Sequence, residues 1–380
     1  MAVTETTTIG WGSRLGSSFK GILVGLLLFV AGFPLLFWNE GRAVADTKTN
    51  EEGAASVVEA TAAEIDPAQE GMLVHVVGEA TTKDVLSDGE YGVSATAIRL
   101  SRTVEMYQWV ESSHTHDEKK LGGKIERTTT YTYEKAWRTS AVSSDSFHGE
   151  NRDKYINPPA RRELGTKVQY AKDVKVGARS LNESQIQSVG GEKPLAVKYQ
   201  RVGSAGFSDG DAPDPKVGDI RVTFSSVAPH VVTIVAAQCG QGFRPYTAKS
   251  TKKQISDLRD GDFTAEEVFL AREKGNRILT WILRLAGFLC MFFGVKAVLA
   301  PLVVLADVVP FIGSIANFGT GLVAFVVAAP CALVTIAIAW IFYRPVIGVT
   351  LIIAAVAIVF FVLRKRAAAK AAAPAAPTAA

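Results

Sequence analysis

The sequence predicts a multi-pass α-helical membrane protein with four spans and a large strand-rich α+β domain outside the cytoplasm. Two observations lead to this fold class. The stretch 278–363 contains three apolar runs and only four charged residues: Arg284, Lys296, Asp307 and Arg344. A fourth apolar run, 21–38, is separated from that stretch by the mostly polar region 39–277. Because the apolar runs offer no polar face to water, a bilayer is their natural solvent.

The first apolar run, 21–38, is long enough to cross a membrane once. Its 18 uncharged residues would rise about 27 Å as a helix, close to a bilayer core of roughly 30 Å. A cleaved signal peptide is the alternative, because Ala43 and Ala45 match a small-x-small cleavage pattern. The run is longer than the apolar core of a usual signal peptide, and the charged residues Glu40 and Arg42 lie between it and the cleavage pattern. The sequence therefore favours a retained anchor.

The region 39–277 has the pattern of a strand-rich domain. Apolar and polar side chains alternate at 98–111 and again at 124–139, which predicts two strands that pair as a hairpin. Four aromatic side chains would then meet across the pair: Tyr107, Trp109, Tyr131 and Tyr133. Similar patterns predict strands at 220–224 and 231–237, a short helix at 181–189, and a loop at 203–218.

A helix is predicted to begin at Ala265, just before the second apolar run. Thr264 and Glu267 have the spacing of a capping box, in which each side chain satisfies the backbone N–H of the other residue. The helix either ends near Gly275 or continues into the membrane. The sequence leaves both alternatives open.

Charge predicts the topology. Four spans place both termini on one side, and the basic residues near each end mark that side as cytoplasmic. The chain's net charge is +4, but region 39–277 carries −3, which argues against a nucleic-acid-binding domain. The predicted order is a cytoplasmic N-terminus (1–20), span 1 (21–38), an extracytoplasmic domain (39–277), span 2 (278–300), a cytoplasmic-side connection (301–317), span 3 (318–342), span 4 (346–363) and a disordered cytoplasmic tail (364–380).

No motif predicts an enzyme, a cofactor or a metal site. The sequence lacks a phosphate-binding loop, HExxH and GxSxG, and Cys239 is the only cysteine of region 39–277. The stretch HTHDE (114–118) is the only tight cluster of metal-capable side chains, and the alternate spacing of His114 and His116 could point both imidazoles the same way. A solvated hairpin loop explains them more simply than a metal site does. We therefore predict no catalytic, cofactor-binding or metal-binding residues.

The charges in and beside the apolar runs are the main candidates for a functional role, because an unpaired charge at the bilayer centre costs at least about 2.5–3.5 kcal/mol. They either reach the headgroups, or they line a polar path or pair across helices. Glu40 is expected to pair with Arg284 or Arg344, the alternative being that each charge is hydrated. The candidate interaction residues are Glu40, Arg42, Arg284, Lys296, Asp307 and Arg344.

Six stretches resemble motifs of the LUMA family, also called transmembrane protein 43: FPLLFWNEGRAV (33–44), EGMLVH (70–75), VEMYQWVE (104–111), GDIRV (218–222), TWILR (280–284) and WIFYRP (340–345). The resemblance implies a four-pass protein with a large non-cytoplasmic domain that associates with itself. In animals it also implies residence in the endoplasmic reticulum and inner nuclear membrane. The Ala-rich tail and short loops are compatible with a bacterial relative, for which the expected location is the inner membrane. No catalytic residues follow from the resemblance.

These inferences predict an integral membrane scaffold that self-associates and organises envelope membrane protein complexes. Its expected partners are membrane lipids, further copies of the chain and other envelope membrane proteins, but no nucleic acid. The alternative is a small-solute or ion transporter or channel, formed by oligomerised spans around Lys296 and Asp307.

Overall fold

The computed structural model describes residues 2–159, 165–196 and 215–346, together with residues 348, 350 and 353. The chain divides into two compact units. The strand unit comprises Met1–Ile9, Lys48–Glu118 and Ile125–Glu273. The helical unit comprises Gly10–Thr47, Lys119–Lys124 and Lys274–Ala380.

Three of the helices in the described chain are long and apolar enough to cross a membrane. The α-helices are α1 (Trp11–Ser56), α2 (Glu183–Ser188), α3 (Ala265–Val298), α4 (Ala300–Ala306) and α5 (Pro310–Tyr343). The three candidate spans are α1, α3 and α5. The protein is therefore a multi-pass membrane protein whose remaining described part is rich in strands.

The prediction of four spans is wrong, because the described residues contain three candidate spans. Helix α5 ends at Tyr343, just before Arg344 and Pro345, where the residue preceding a proline disfavours helix. The predicted fourth span, 346–363, lies almost wholly outside the described residues, and so does the predicted tail 364–380. The placement of both termini on the cytoplasmic side rested on four spans. The argument for two cytoplasmic termini therefore loses its premise.

The predicted start of α3 is confirmed by its capping box. The backbone N–H of Thr264 donates to the Glu267 carboxylate at 2.9 Å, and the backbone N–H of Glu267 donates to the Thr264 hydroxyl at 3.2 Å. The helix does not stop near Gly275 but continues to Val298. A single helix thus includes both the capped start and the second apolar run.

The strand unit contains two main sheets. The strands in chain order are β1 (Ala2–Ile9), β2 (Val58–Glu59), β3 (Leu73–Thr82), β4 (Val85–Asp88), β5 (Val93–Thr96), β6 (Arg99–Lys119), β7 (Ile125–Arg138), β8 (Gly165–Tyr170), β9 (Val174–Val176), β10 (Arg179–Ser180), β11 (Lys193–Pro194), β12 (Ile220–Val227), β13 (His230–Cys239), β14 (Gly242–Arg244), β15 (Tyr246–Thr247), β16 (Gln254–Ile255) and β17 (Asp257–Asp260). The first sheet has the order β1-β7-β6-β12-β11, with β8 also paired to β6.

The second sheet has the order β17-β13-β14-β10-β9-β3-β2, and an additional β13–β3 pairing closes five of its strands into a ring. Valine and isoleucine side chains fill the interior, among them Val76, Val176 and Ile234, which have no exposed surface. Helix α2 contributes Ile186 to the same core. Its position confirms the predicted short helix, which starts with a capping box between Asn182 and Gln185.

The predicted hairpin of β6 and β7 is confirmed, but its aromatic pairs differ from those expected. Tyr107 contacts Trp137, with ring centroids 5.1 Å apart, and Tyr133 stacks on Tyr155 at 4.2 Å. Strand β6 continues to Lys119 instead of ending at 111, whereas β7 starts at Ile125, so the turn is shorter than predicted and different residues lie opposite one another. Burial and a hydrogen bond to Glu111 raise the pKa of Tyr133 to about 12, as expected for a core phenol.

Glycines allow α1 and α3 to pack closely within the helical unit. A methyl group added at Gly25 of α1 would lie 2.7 Å from the Gly294 carbonyl oxygen, and one added at Gly294 of α3 would lie 2.6 Å from the Gly25 carbonyl oxygen. On each helix the α1–α3 contact therefore uses a position where a larger side chain would force the backbones apart. Leu36, Met291, Ala328 and Ala332 then form one buried apolar cluster of α1, α3 and α5.

Candidate functional site

A buried carboxylate joins the three long helices at one end of the helical unit. Glu40 of α1 has no exposed surface. Arg284 of α3 binds it with both arms of its guanidinium group, from Nε to Oε1 at 2.6 Å and from Nη2 to Oε2 at 2.8 Å. Trp340 of α5 donates its indole N–H to Oε2 at 2.8 Å. Each helix thus supplies one side chain to a single contact, here called the Glu40 cluster.

Aromatic rings surround the cation of the Glu40 cluster. The Arg284 guanidinium lies 4.9 Å from the ring centroid of Trp281 and 5.7 Å from that of Trp340. Only 16% of the Arg284 side chain is exposed. Removing both charges from water costs free energy, and the two-armed ion pair, the Trp340 hydrogen bond and the ring faces together offset that cost. The Glu40 cluster can hold three helices in one arrangement.

A layer of polar side chains follows the Glu40 cluster between α1 and α3. Arg42 donates to Asn276 at 3.0 Å, to the Thr280 hydroxyl at 2.9 Å and to Asp46 at 2.7 Å. Asn39 donates to the Thr280 carbonyl oxygen at 3.0 Å. These hydrogen bonds fix the rotation of α1 against α3 beyond the apolar contact.

A second buried carboxylate lies at the other end of the helical unit. Asp307, between α4 and α5, has no exposed surface. Lys119 binds its Oδ1 at 2.6 Å, and Arg14 binds its Oδ2. Arg14 also donates to the Gly123 carbonyl oxygen at 2.6 Å. We call this group the Asp307 cluster; it connects the start of α1, the 119–124 turn and the α4–α5 connection.

Backbone contacts strengthen the Asp307 cluster. The Trp11 indole N–H donates to the Val304 carbonyl oxygen at 2.8 Å, and the Gly122 N–H donates to that of Val308 at 3.0 Å. The four-span topology placed Lys119 and Asp307 on opposite sides of the membrane. Their ion pair does not fit that assignment, because both side chains lie in the same cluster.

The structure brings some of the predicted residues together and not others. Glu40 lies against Arg284, whereas Arg344 follows the last residue of α5 and is not the partner of Glu40. Lys296, in the last turn of α3, has no hydrogen-bond or ion-pair partner among the described residues. Sequence reasoning missed the roles of Trp340, Arg14 and Lys119. Trp340 falls in a family-like motif, but no local pattern connects Lys119 to Asp307.

His114 and His116 lie in the exposed outer part of β6 rather than in the predicted loop. Within the described ranges, no group of three or more His, Cys, Asp or Glu side chains is arranged to hold a metal ion. The described cysteines, Cys239, Cys290 and Cys331, are free thiols.

Comparison with known proteins gives a consistent result. The model of the family described as "Transmembrane protein 43" matches residues 106–345. The chain is 36% identical to "Transmembrane protein 43" of Rattus norvegicus over 90% of this chain and 89% of the relative. It is 35% identical to "Transmembrane protein 43" of Homo sapiens over 97% of this chain and 95% of the relative. It is 31% identical to the "Transmembrane protein 43 homolog" of Drosophila melanogaster over 90% of this chain and 93% of the relative. No solved structure matches the chain.

Proposed function

Because the chain belongs to the transmembrane protein 43 family, we propose that it is an integral membrane scaffold that associates with itself and organises complexes of envelope membrane proteins. Its partners in this proposal are membrane lipids, further copies of the chain and other envelope proteins, and it catalyses no reaction. The proposed location is the inner membrane of a bacterium or, in a eukaryotic cell, the endoplasmic reticulum and inner nuclear membrane.

The observation that carries the proposal is the pairing of the two buried carboxylates of the helical unit. Glu40 receives three hydrogen bonds from α3 and α5, and Asp307 is bound by two cations. A transporter or channel needs polar groups that can exchange their partners with a solute or with water. Carboxylates that are buried and bound by fixed donors are better suited to holding helices together. This favours a scaffold over solute transport.

The transport alternative depended on Lys296 and Asp307 as lining residues. In the structure the Asp307 carboxylate forms ion pairs with Arg14 and Lys119, and not with Lys296. We therefore expect the purified chain in liposomes to give no saturable flux of Na⁺, K⁺, Cl⁻ or protons, and no voltage-dependent current in planar bilayers. Liposomes without protein set the baseline, and gramicidin, which conducts monovalent cations and protons, shows that the vesicles hold a cation gradient until it is added. A saturable flux that Asp307→Asn abolishes would contradict the scaffold proposal.

A further inference from the structure

Strand β1 ends a sheet in an open edge. All eight of its residues pair with β7, from Ala2 opposite Thr132 to Ile9 opposite Ile125. It is the last strand in the order of its sheet, so no described strand covers its other side. Residues 4–8 are exposed. The backbone N–H and C=O groups along that outer side are therefore available to another strand.

The composition of β1 does not protect this edge. Soluble proteins usually block an open edge with proline, lysine, a bulge or a very short strand. Strand β1 is eight residues long, pairs with β7 without a bulge, and contains neither proline nor lysine. Four of its residues are threonines, which favour strands, and Glu5 is its only charged residue. These features are typical of an edge that accepts a partner strand.

We propose that the partner is β1 of a second copy of this chain, paired antiparallel about a two-fold axis at Thr6. This inference rests on the proposed self-association and names the surface that would carry it. A two-fold pair needs one strand edge that complements itself. The axis is perpendicular to the sheet, so each face of β1 stays on the same side in both copies. Residues directly opposite one another in an antiparallel pair point to the same side, so odd-numbered residues must lie opposite odd-numbered ones and even-numbered opposite even-numbered.

The sequence of β1 is self-complementary in this register. With Thr6 opposite Thr6 of the second copy, Val3 faces Ile9, Thr4 faces Thr8, and Glu5 faces Thr7. Apolar and Thr–Thr pairs of this kind stabilise antiparallel strands. A shift of the symmetry axis by one residue, to Glu5, would place the two Glu5 carboxylates opposite each other. Charge repulsion disfavours that register. A shift the other way, to Thr7, would place Glu5 opposite Ile9 and shorten the paired segment from 3–9 to 5–9, so the register centred on Thr6 is the best of the three.

Single cysteines test both the surface and the register. Residues directly opposite in an antiparallel pair have Cα atoms about 4.5–5.5 Å apart, within the range of a disulfide. We expect Thr6→Cys in the full chain, in membranes treated with a mild oxidant, to form a disulfide-linked dimer that the parent chain does not form. The parent controls for its own cysteines, including the exposed Cys239.

Thr4→Cys is the matched control. In the proposed register, Thr4 of one copy lies opposite Thr8, so the two copies of position 4 are four residues apart along the strand, or about 13 Å. Thr4→Cys alone should not link, whereas the Thr4→Cys, Thr8→Cys double variant should. Equal linking of the Thr4→Cys and Thr6→Cys single variants would overturn the register.

The number of copies of the unmodified chain per lipid nanodisc, measured from the particle mass, separates the proposed self-association from the proposed β1 surface. If the chain has several copies per particle but neither Thr6→Cys nor the double variant links, the β1 surface is wrong and self-association stands. If the chain has one copy per particle, both are overturned. A linked Thr6→Cys dimer in a multi-copy particle is the expected result.

Discussion

Glu40→Gln should lower the free energy of unfolding by about 3–5 kcal/mol, the cost of leaving one member of a buried ion pair without its partner. The substitution keeps the size of the side chain but leaves the largely buried Arg284 guanidinium without a counter-charge. Arg284→Gln should cost a similar amount, because it leaves the buried Glu40 carboxylate without its cation. Reversible unfolding of the full chain in mixed micelles measures both effects.

The double variant shows whether these costs come from one interaction. Since each single substitution removes the same ion pair, Glu40→Gln with Arg284→Gln should be destabilised by less than the sum of the single effects, by roughly 1–3 kcal/mol. Arg344→Gln is the matched control, because Arg344 is not the partner of Glu40 in the structure. Combined with Glu40→Gln it should give additive effects. Additivity in the Arg284 cycle would contradict the role assigned to the Glu40 cluster.

Asp307→Asn should have the second largest effect, a loss of about 3 kcal/mol, at the lower end of the range for a broken buried pair. It leaves Arg14 and Lys119 close together without the carboxylate that both bind. The Lys119 side chain is one-third exposed and can turn toward water, which limits the cost. Hydrogen exchange should also rise at residues 119–124, whose turn depends on this cluster.

Lys296→Gln provides the control for Asp307→Asn. Lys296 has no described partner, so its replacement should change stability by no more than about 0.5 kcal/mol. Removing one of the two cations in the Asp307→Asn background, by Lys119→Met, should restore part of the lost stability. If Asp307→Asn were no more harmful than Lys296→Gln, the Asp307 cluster would not stabilise the helical unit.

Features encoded by neighbouring residues could be predicted from the sequence. The capping box of α3 depends on Thr264 and Glu267, three residues apart, and the alternation of β6 and β7 is equally local. The choice of Arg284 or Arg344 as partner of Glu40 came from charges at one expected membrane boundary. Selecting Arg284 required the rotation of α1 against α3, which depends on packing.

Features that depend on distant contacts could not be predicted. Asp307 binds Lys119, which is 188 residues away, and Arg14, which is 293 residues away. Strand β1 was not predicted because its sequence has no alternating apolar face. It is held by backbone pairing with β7 and not by burial of one face. The aromatic pairs of the hairpin were wrong because the register follows from the length of the turn, which composition alone does not determine.

The copy number of the chain in a lipid bilayer tests the central claim most directly. The chain has a mass of 40.6 kDa, so mass photometry or native mass spectrometry of nanodiscs can count its copies. The scaffold account predicts particles with two or more copies, at a lipid excess large enough to separate chains that do not associate. One copy per particle under all these conditions would contradict it.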